Sequence, residues 1–195
     1  MANAELEIRR RFDAADLNGA MHLAIESYGN ELYGFLVGLA RDRAFADDVF
    51  GATCERMWRA LPKFRWESTL RTWAYTIARN EFIQQSTSPR RREVPLSEVP
   101  DLRDAIAQVR TRTPLHERSE VRERFARLRE ELEPDDHMLL GLRLEQKLTW
   151  DDIARVLGNE DQDDLVRATA SLRKRYQRLK ERLRELVAAG GVAKP

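Results

Sequence analysis

Apolar residues recur at three- and four-residue spacing along most of the chain, which is the mark of amphipathic helices. Residues 1–15 are polar with scattered apolar positions and read as a frayed or short helical lead. Between residues 17 and 41, Leu17, Met21, Leu23, Ala24, Ile25, Tyr28, Leu32, Phe35, Leu36 and Leu39 fit one or two helices, with a break expected near Gly29-Asn30. Asp42 suits the cap of a helix over about 44–61, with Phe45, Val49, Phe50, Met57, Trp58 and Leu61 inward. Pro62 ends it, since proline cannot continue the backbone ladder. The next helix starts at about Thr69 with Ser68 as its N-cap, and Leu70, Trp73, Ala74, Ile77 and Ala78 form its apolar stripe.

After Ile83 the period is lost in QQSTSPRRREVPLSEVP, a polar, proline-bearing stretch that reads as a linker over 87–113. Its cations Arg90, Arg91 and Arg92 read first as a solvated run, and a weak helical pattern returns over 101–110. Residues 115–132 read as a charged helix, and Asp135-Asp136 suit the first turn of the one after it. In LTWDDIARVLG, Thr149 and Asp152 have capping-box spacing and Gly158 sits where a left-handed C-cap belongs. A long helix from about Asp163 carries the seam Leu165, Leu172, Tyr176, Leu179, Leu183 and Leu186. Short helix, glycine turn and longer helix make the helix-turn-helix pattern. The predicted fold is all-α, with two small helical domains (1–86 and 114–195) joined by a flexible linker, the second holding the helix-turn-helix.

Charge sharpens this picture. The net charge of +1 says nothing about partners, but its distribution does: residues 165–186 carry +6, while acids gather at Asp47-Asp48, 130–136, Asp151-Asp152 and 160–164. Segregation of this kind suits one surface for a polyanion and another for a basic partner. The single cysteine, Cys54, excludes an intrachain disulfide and fits a reducing cytoplasm. No apolar run approaches the ~18 residues of a membrane helix and the start lacks a signal-peptide core, so no membrane insertion is expected. His22, His116 and His137 lack ligand spacing, and Asp47-Asp48 and Asp151-Asp152 are adjacent on helices and point apart. Neither an enzyme, a metal nor a cofactor is expected.

The chemistry concentrates in FRWESTLRTWAYTIARNEF, residues 64–82, where Arg65, Arg71 and Arg79 interleave with Trp66, Trp73 and Tyr75. Arg71, Tyr75 and Arg79 line up at i, i+4 and i+8, a face that offers cations and a ring to a polyanion with bases. By itself this is also what a solvated basic face looks like. Together with the acidic helix before it and the helix-turn-helix after it, the stretch resembles a bacterial sigma-70 family sigma factor of the extracytoplasmic-function (ECF) group. The resemblance covers about 28–83 and 132–186. It is carried by ADDVFGATCERMW, by LPKF followed by TLRTWAYTIARNEF, and by LEPDDHMLLGLRLEQKLTWDDIARVLG. Gly51-Ala52, Cys54, Gln84 and the acidic turn NEDQDD depart from the family's usual residues and mark a divergent subgroup.

The resemblance implies a promoter-specificity subunit that binds the beta and beta-prime subunits of core RNA polymerase and promoter DNA, with an anti-sigma factor as a further partner. Asp47, Asp48, Glu55 and Arg56 would dock on the polymerase clamp. At the −10 element a flipped base would sit against Phe64, Arg65, Trp66, Glu67 and Ser68, while Arg71, Tyr75, Arg79 and Asn80 hold the single strand. Trp73 and Ile77 would be core. At the −35 element, Arg167, Ser171, Arg173, Lys174, Arg175 and Arg178 would meet the duplex. The rival readings are a free-standing helix-turn-helix regulator and a protein–protein adaptor whose basic faces are only solvated.

Overall fold

In the computed structural model these stripes become eight α-helices, with no strand among the described residues, which are 2–40, 42–87, 100–112, 132–158 and 162–188. They are α1 (Ala2–Asp13), α2 (Leu17–Leu39), α3 (Arg43–Ala60), α4 (Leu70–Thr87), α5 (Pro100–Arg112), α6 (Pro134–Leu140), α7 (Trp150–Val156) and α8 (Gln162–Ala188). The chain divides into two compact units, Met1–Pro114 and Leu115–Pro195.

The first unit is built around α2, which packs against α1, α3, α4 and α5. Contact on several sides needs more than one apolar stripe, and α2 buries Ala20, Met21, Ala24, Ile25, Tyr28, Leu32, Tyr33, Phe35 and Leu36. The break expected at Gly29-Asn30 is absent. Gly29 instead gives room for α5, because a Cβ there would lie 2.8 Å from Val109. Asp42 caps α3 as expected, accepting from the Phe45 N–H at 2.8 Å. After Ala60 the chain tightens into a 3-10 turn over Leu61–Lys63 before the loop that enters α4.

Two expectations change here. The lead helix α1 is docked, with Ile8 fully buried. Within the linker expected over 87–113, Pro100–Arg112 forms a helix on α2, burying Ala105, Ile106 and Val109. Arg43 donates to the Arg110 carbonyl at 3.0 Å, and Arg110 donates to the Asp47 carbonyl at 2.5 Å. The weak helical pattern over 101–110 gains its partner at Gly29, where the missing side chain leaves room for Val109. The Arg90–Arg92 run and the helix expected over 115–132, apart from Leu132, lie outside the described residues.

Cys54 is buried on the inner side of α3. Burial pushes its thiol up to about 12. Native protein at pH 8 is therefore expected to resist iodoacetamide at this position, and to react fully once unfolded in urea. Rapid alkylation under native conditions, read by mass spectrometry, would contradict this packing.

In the second unit α6 runs into a π-helical turn, Gly141–Glu145. Thr149 caps α7, accepting from the Asp152 N–H at 3.2 Å, while its hydroxyl donates to the Asp152 carboxylate at 2.5 Å. Gly158 follows at φ 98°, the left-handed conformation that favours glycine. α8 then packs through Leu165, Thr169, Leu172, Tyr176 and Leu179, a 4-3-4-3 seam that leaves its other side in water. The Trp150 ring meets Tyr176 edge to face at 5.4 Å, and Thr169 donates to Asp151 at 3.2 Å, so α7 is tied to the first half of α8.

Candidate nucleic-acid interface

The loop between the 3-10 turn and α4 is a ring cluster. Phe64 stacks on Trp73 at 4.7 Å and meets Trp66 at 4.9 Å; Phe12 of α1 approaches Trp66 edge to face at 5.5 Å. The Arg9 guanidinium lies 5.3 Å from the Trp66 ring. Trp66 holds this place at φ 59°, a conformation that costs a bulky residue about 1–3 kcal/mol. Its indole N–H is buried with no acceptor among the described residues, which costs about 1–3 kcal/mol more. Arg65 beside it is 82% exposed and lies 3.7 Å from an exposed Glu67. Ser68 is half-buried, and its hydroxyl donates to the Thr69 carbonyl at 3.3 Å.

The start of α4 differs from the expected Ser68 cap. Thr69 accepts from the Thr72 N–H at 3.0 Å, and the Glu5 carboxylate, reaching over from α1, accepts from the Leu70 N–H. A carboxylate at a helix start is favoured by the exposed amides and the dipole. Glu5 also accepts from the Tyr28 hydroxyl at 2.6 Å, and burial, helped by this bond, raises the Tyr28 phenol above its ordinary range.

Beyond the loop, the expected strand-holding face does not survive intact. Tyr75 is 0% exposed, packed edge to face on Phe35 at 5.3 Å, and is a core residue. Arg71 is 14% exposed and forms a forked pair with Glu31, at 2.5 and 3.0 Å. Arg79 is half-buried and donates to Asn80 at 3.2 Å, and Asn80 itself is exposed. Conversely Trp73, expected in the core, is half-exposed against Phe64, whereas Ile77 is buried as expected. α4 is covered by both α2 and α3, so its buried arc is wider than one stripe and takes in Thr72, Tyr75 and Glu81.

The docking set on α3 also divides. Asp48 is exposed; Asp47 is half-buried, accepting from Tyr33 at 2.6 Å beside Arg110. Burial and this bond raise the Tyr33 phenol. Glu55 is held by Arg59 one turn on, and the exposed Arg56 reaches the buried Glu81 of α4 at 2.7 Å.

On α8 the cations sort by side. Arg167, Ser171, Lys174 and Arg178 fall at 4-3-4 spacing on the exposed side, with Arg173 exposed beside them. Arg175 is half-buried and pairs with Asp136 of α6 at 2.5 Å, so it is spent on packing the unit. Residues that the sequence reading missed join this face: Val166, apolar yet 71% exposed, lines a groove with Asp151, Arg155, Ala170 and Arg173. Glu5, Arg9 and Phe12 were missed at the other site, since a short charged helix gives no sign of what it touches. Among the described residues no cluster of His, Cys, Asp or Glu could hold a metal ion, and no helix is long and apolar enough to cross a membrane.

Residues 24–92 match the family model for sigma-70 region 2. The ECF RNA polymerase sigma factor SigM of Bacillus subtilis (strain 168) is 24% identical over 156 residues, covering 78% of this chain and 93% of that protein. Among solved structures, the sigma factor RpoE of Bartonella quintana, crystallised with the anti-sigma factor NepR, aligns with a TM-score of 0.59 at 19% identity, over 89% of this chain and 97% of that one. That last likeness is one of fold. Residues 24–92 thus carry a sigma-70 region 2, and the chain as a whole is similar to ECF sigma factors.

Proposed function

We propose that this sigma factor docks on core RNA polymerase through α3, opens the −10 element at the ring-lined loop 64–68, and holds the −35 element on the exposed side of α8. The observation that carries the reading is the pairing of two unlike surfaces on one chain: a ring cluster beside exposed Arg65 in the first unit, and a cationic helix face in the second. Duplex DNA is met by cations that neutralise phosphates, whereas a melted strand is met by rings that stack on bases, at about 1–3 kcal/mol each. A protein that only binds duplex needs the first kind of surface alone, which disfavours the free-standing regulator.

In the first unit, the loop of Phe64, Arg65, Trp66, Glu67 and Ser68 forms the site that receives the unstacked base, and Asn80 with the outer part of Arg79 lies along the strand. Asp48 and Arg56 offer the accessible charges for the clamp. In the second unit Arg167, Ser171, Arg173, Lys174 and Arg178 divide between phosphates, which position, and base edges, which specify. The work is non-catalytic, takes place in the cytoplasm beside the polymerase, and is restrained by an anti-sigma partner that masks these surfaces.

The test is a core-polymerase pull-down followed by run-off transcription with the purified full chain. A discrete transcript that requires both protein and core enzyme is the expected result. Tight, sequence-specific duplex binding without any effect on polymerase would instead establish the regulator.

A further inference from the structure

Trp66 joins three features that packing alone does not call for: a positive φ, an indole N–H buried without an acceptor among the described residues, and ring contacts from two elements, Phe12 edge to face at 77° and Phe64 tilted at 51°. One wall comes from α1, whose Phe12 and Arg9 touch the indole, and the other from Phe64, which is itself backed by Trp73. The enclosure fits a flat, two-ring heterocycle with polar edges. Indole is the side chain nearest in size and shape to a purine. Aromatic walls stack on any base, and a guanidinium over the ring adds a cation–π attraction.

We propose that α1 is a wall of the strand-binding site, and that Trp66 is a placeholder that swings out so that an unstacked purine of the melted strand can take its position between Phe12, Arg9 and Phe64. The inference rests on the promoter-opening reading above and adds to it a helix that lies before the matched family stretch, 24–92. Leaving the cage relieves the backbone at Trp66 and returns its N–H to water, so the exchange loses ring contacts to the base and recovers what the closed state spends. The residues around Trp66 belong to no helix between Lys63 and Leu70, so the swing can be absorbed by a few dihedrals of the loop. Arg65, next to Trp66 in the chain and with a strongly exposed side chain, suits a neighbouring phosphate.

The test uses the full chain with core RNA polymerase on promoter DNA carrying 2-aminopurine, a fluorescent purine, at each −10 position in turn. At one position the open complex of the wild type is expected to stay dim, because the base is stacked, while other unpaired positions brighten. Phe12→Leu should brighten that position alone and weaken binding of the opened strand about tenfold, the effect of losing one stacking partner. Arg9→Gln, on a partly exposed side chain that the fold does not need, should act in the same direction more weakly. Trp66→Gly, which accepts the positive φ and empties the cage, should speed opening. Equal fluorescence at every position in wild type, Phe12→Leu and Arg9→Gln, with open complexes formed, overturns the proposal and leaves the sigma-factor reading standing. Failure of the wild type to open any promoter overturns both.

Discussion

Tyr75→Ala is expected to destabilise the first unit by about 3–5 kcal/mol, the range for truncating a fully buried aromatic. Against total stabilities of about 5–15 kcal/mol, that brings the unit close to unfolding. The ring sits at 0% exposure between Phe35 and the Arg71 guanidinium, which lies 5.4 Å from its centroid. Its loss therefore removes apolar burial and leaves the Arg71–Glu31 pair beside a cavity. Tyr75→Phe keeps the ring and should lose far less. Urea unfolding of both variants, followed by circular dichroism, decides the matter. If Tyr75→Ala unfolded like the wild type but bound promoter strand poorly, Tyr75 would go back to the DNA face that spacing alone assigned to it.

Replacing Arg167, Arg173, Lys174 and Arg178 together with glutamine is expected to weaken binding of the −35 duplex by at least ~100-fold, since each base or phosphate contact contributes about 1–3 kcal/mol or a unit of salt slope. Glutamine keeps helix propensity, so α8 should persist. The slope of log affinity against log salt should flatten by about one unit for every replaced residue that met a phosphate. Arg175→Gln should leave that slope unchanged and act on the stability of the second unit, because its partner is Asp136. Filter binding over a range of salt concentrations separates the two cases. A slope unchanged by the fourfold replacement would remove the exposed side of α8 from the DNA.

Much of the fold was legible because local rules and tertiary packing agree. Asp42 and Thr149 cap where their spacing says, Gly158 turns left-handed, and Leu165, Leu172, Tyr176 and Leu179 of the expected α8 seam are buried. The misreadings share a cause: a period finds one buried face, whereas several of these helices have neighbours on two. On α4 the stripe named Leu70, Ala74, Ile77 and Ala78 correctly, but a second neighbour buries Tyr75 and turns Arg71 toward Glu31. On α2 a glycine that looks like a break is a seat for Val109. Of the candidate site, the loop 64–68 and the exposed cations of α8 were readable from residue type and spacing. The contributions of Glu5, Arg9, Phe12 and Val166 were not, because each depends on which element passes beside it.

Glu5 carries the first unit past the stretch that matches the sigma-70 region 2 model. The matched stretch begins at Ala24, yet the N–H of Leu70 and the hydroxyl of Tyr28 both end on a carboxylate nineteen positions earlier. A shortened chain that began with the match would cut into α2 and lose the carboxylate that joins its Tyr28 to the first turn of α4. Where this module starts is thus a question of hydrogen bonding, and whatever is fused, cleaved or bound at α1 acts directly on the first turn of the helix that follows the ring-lined loop.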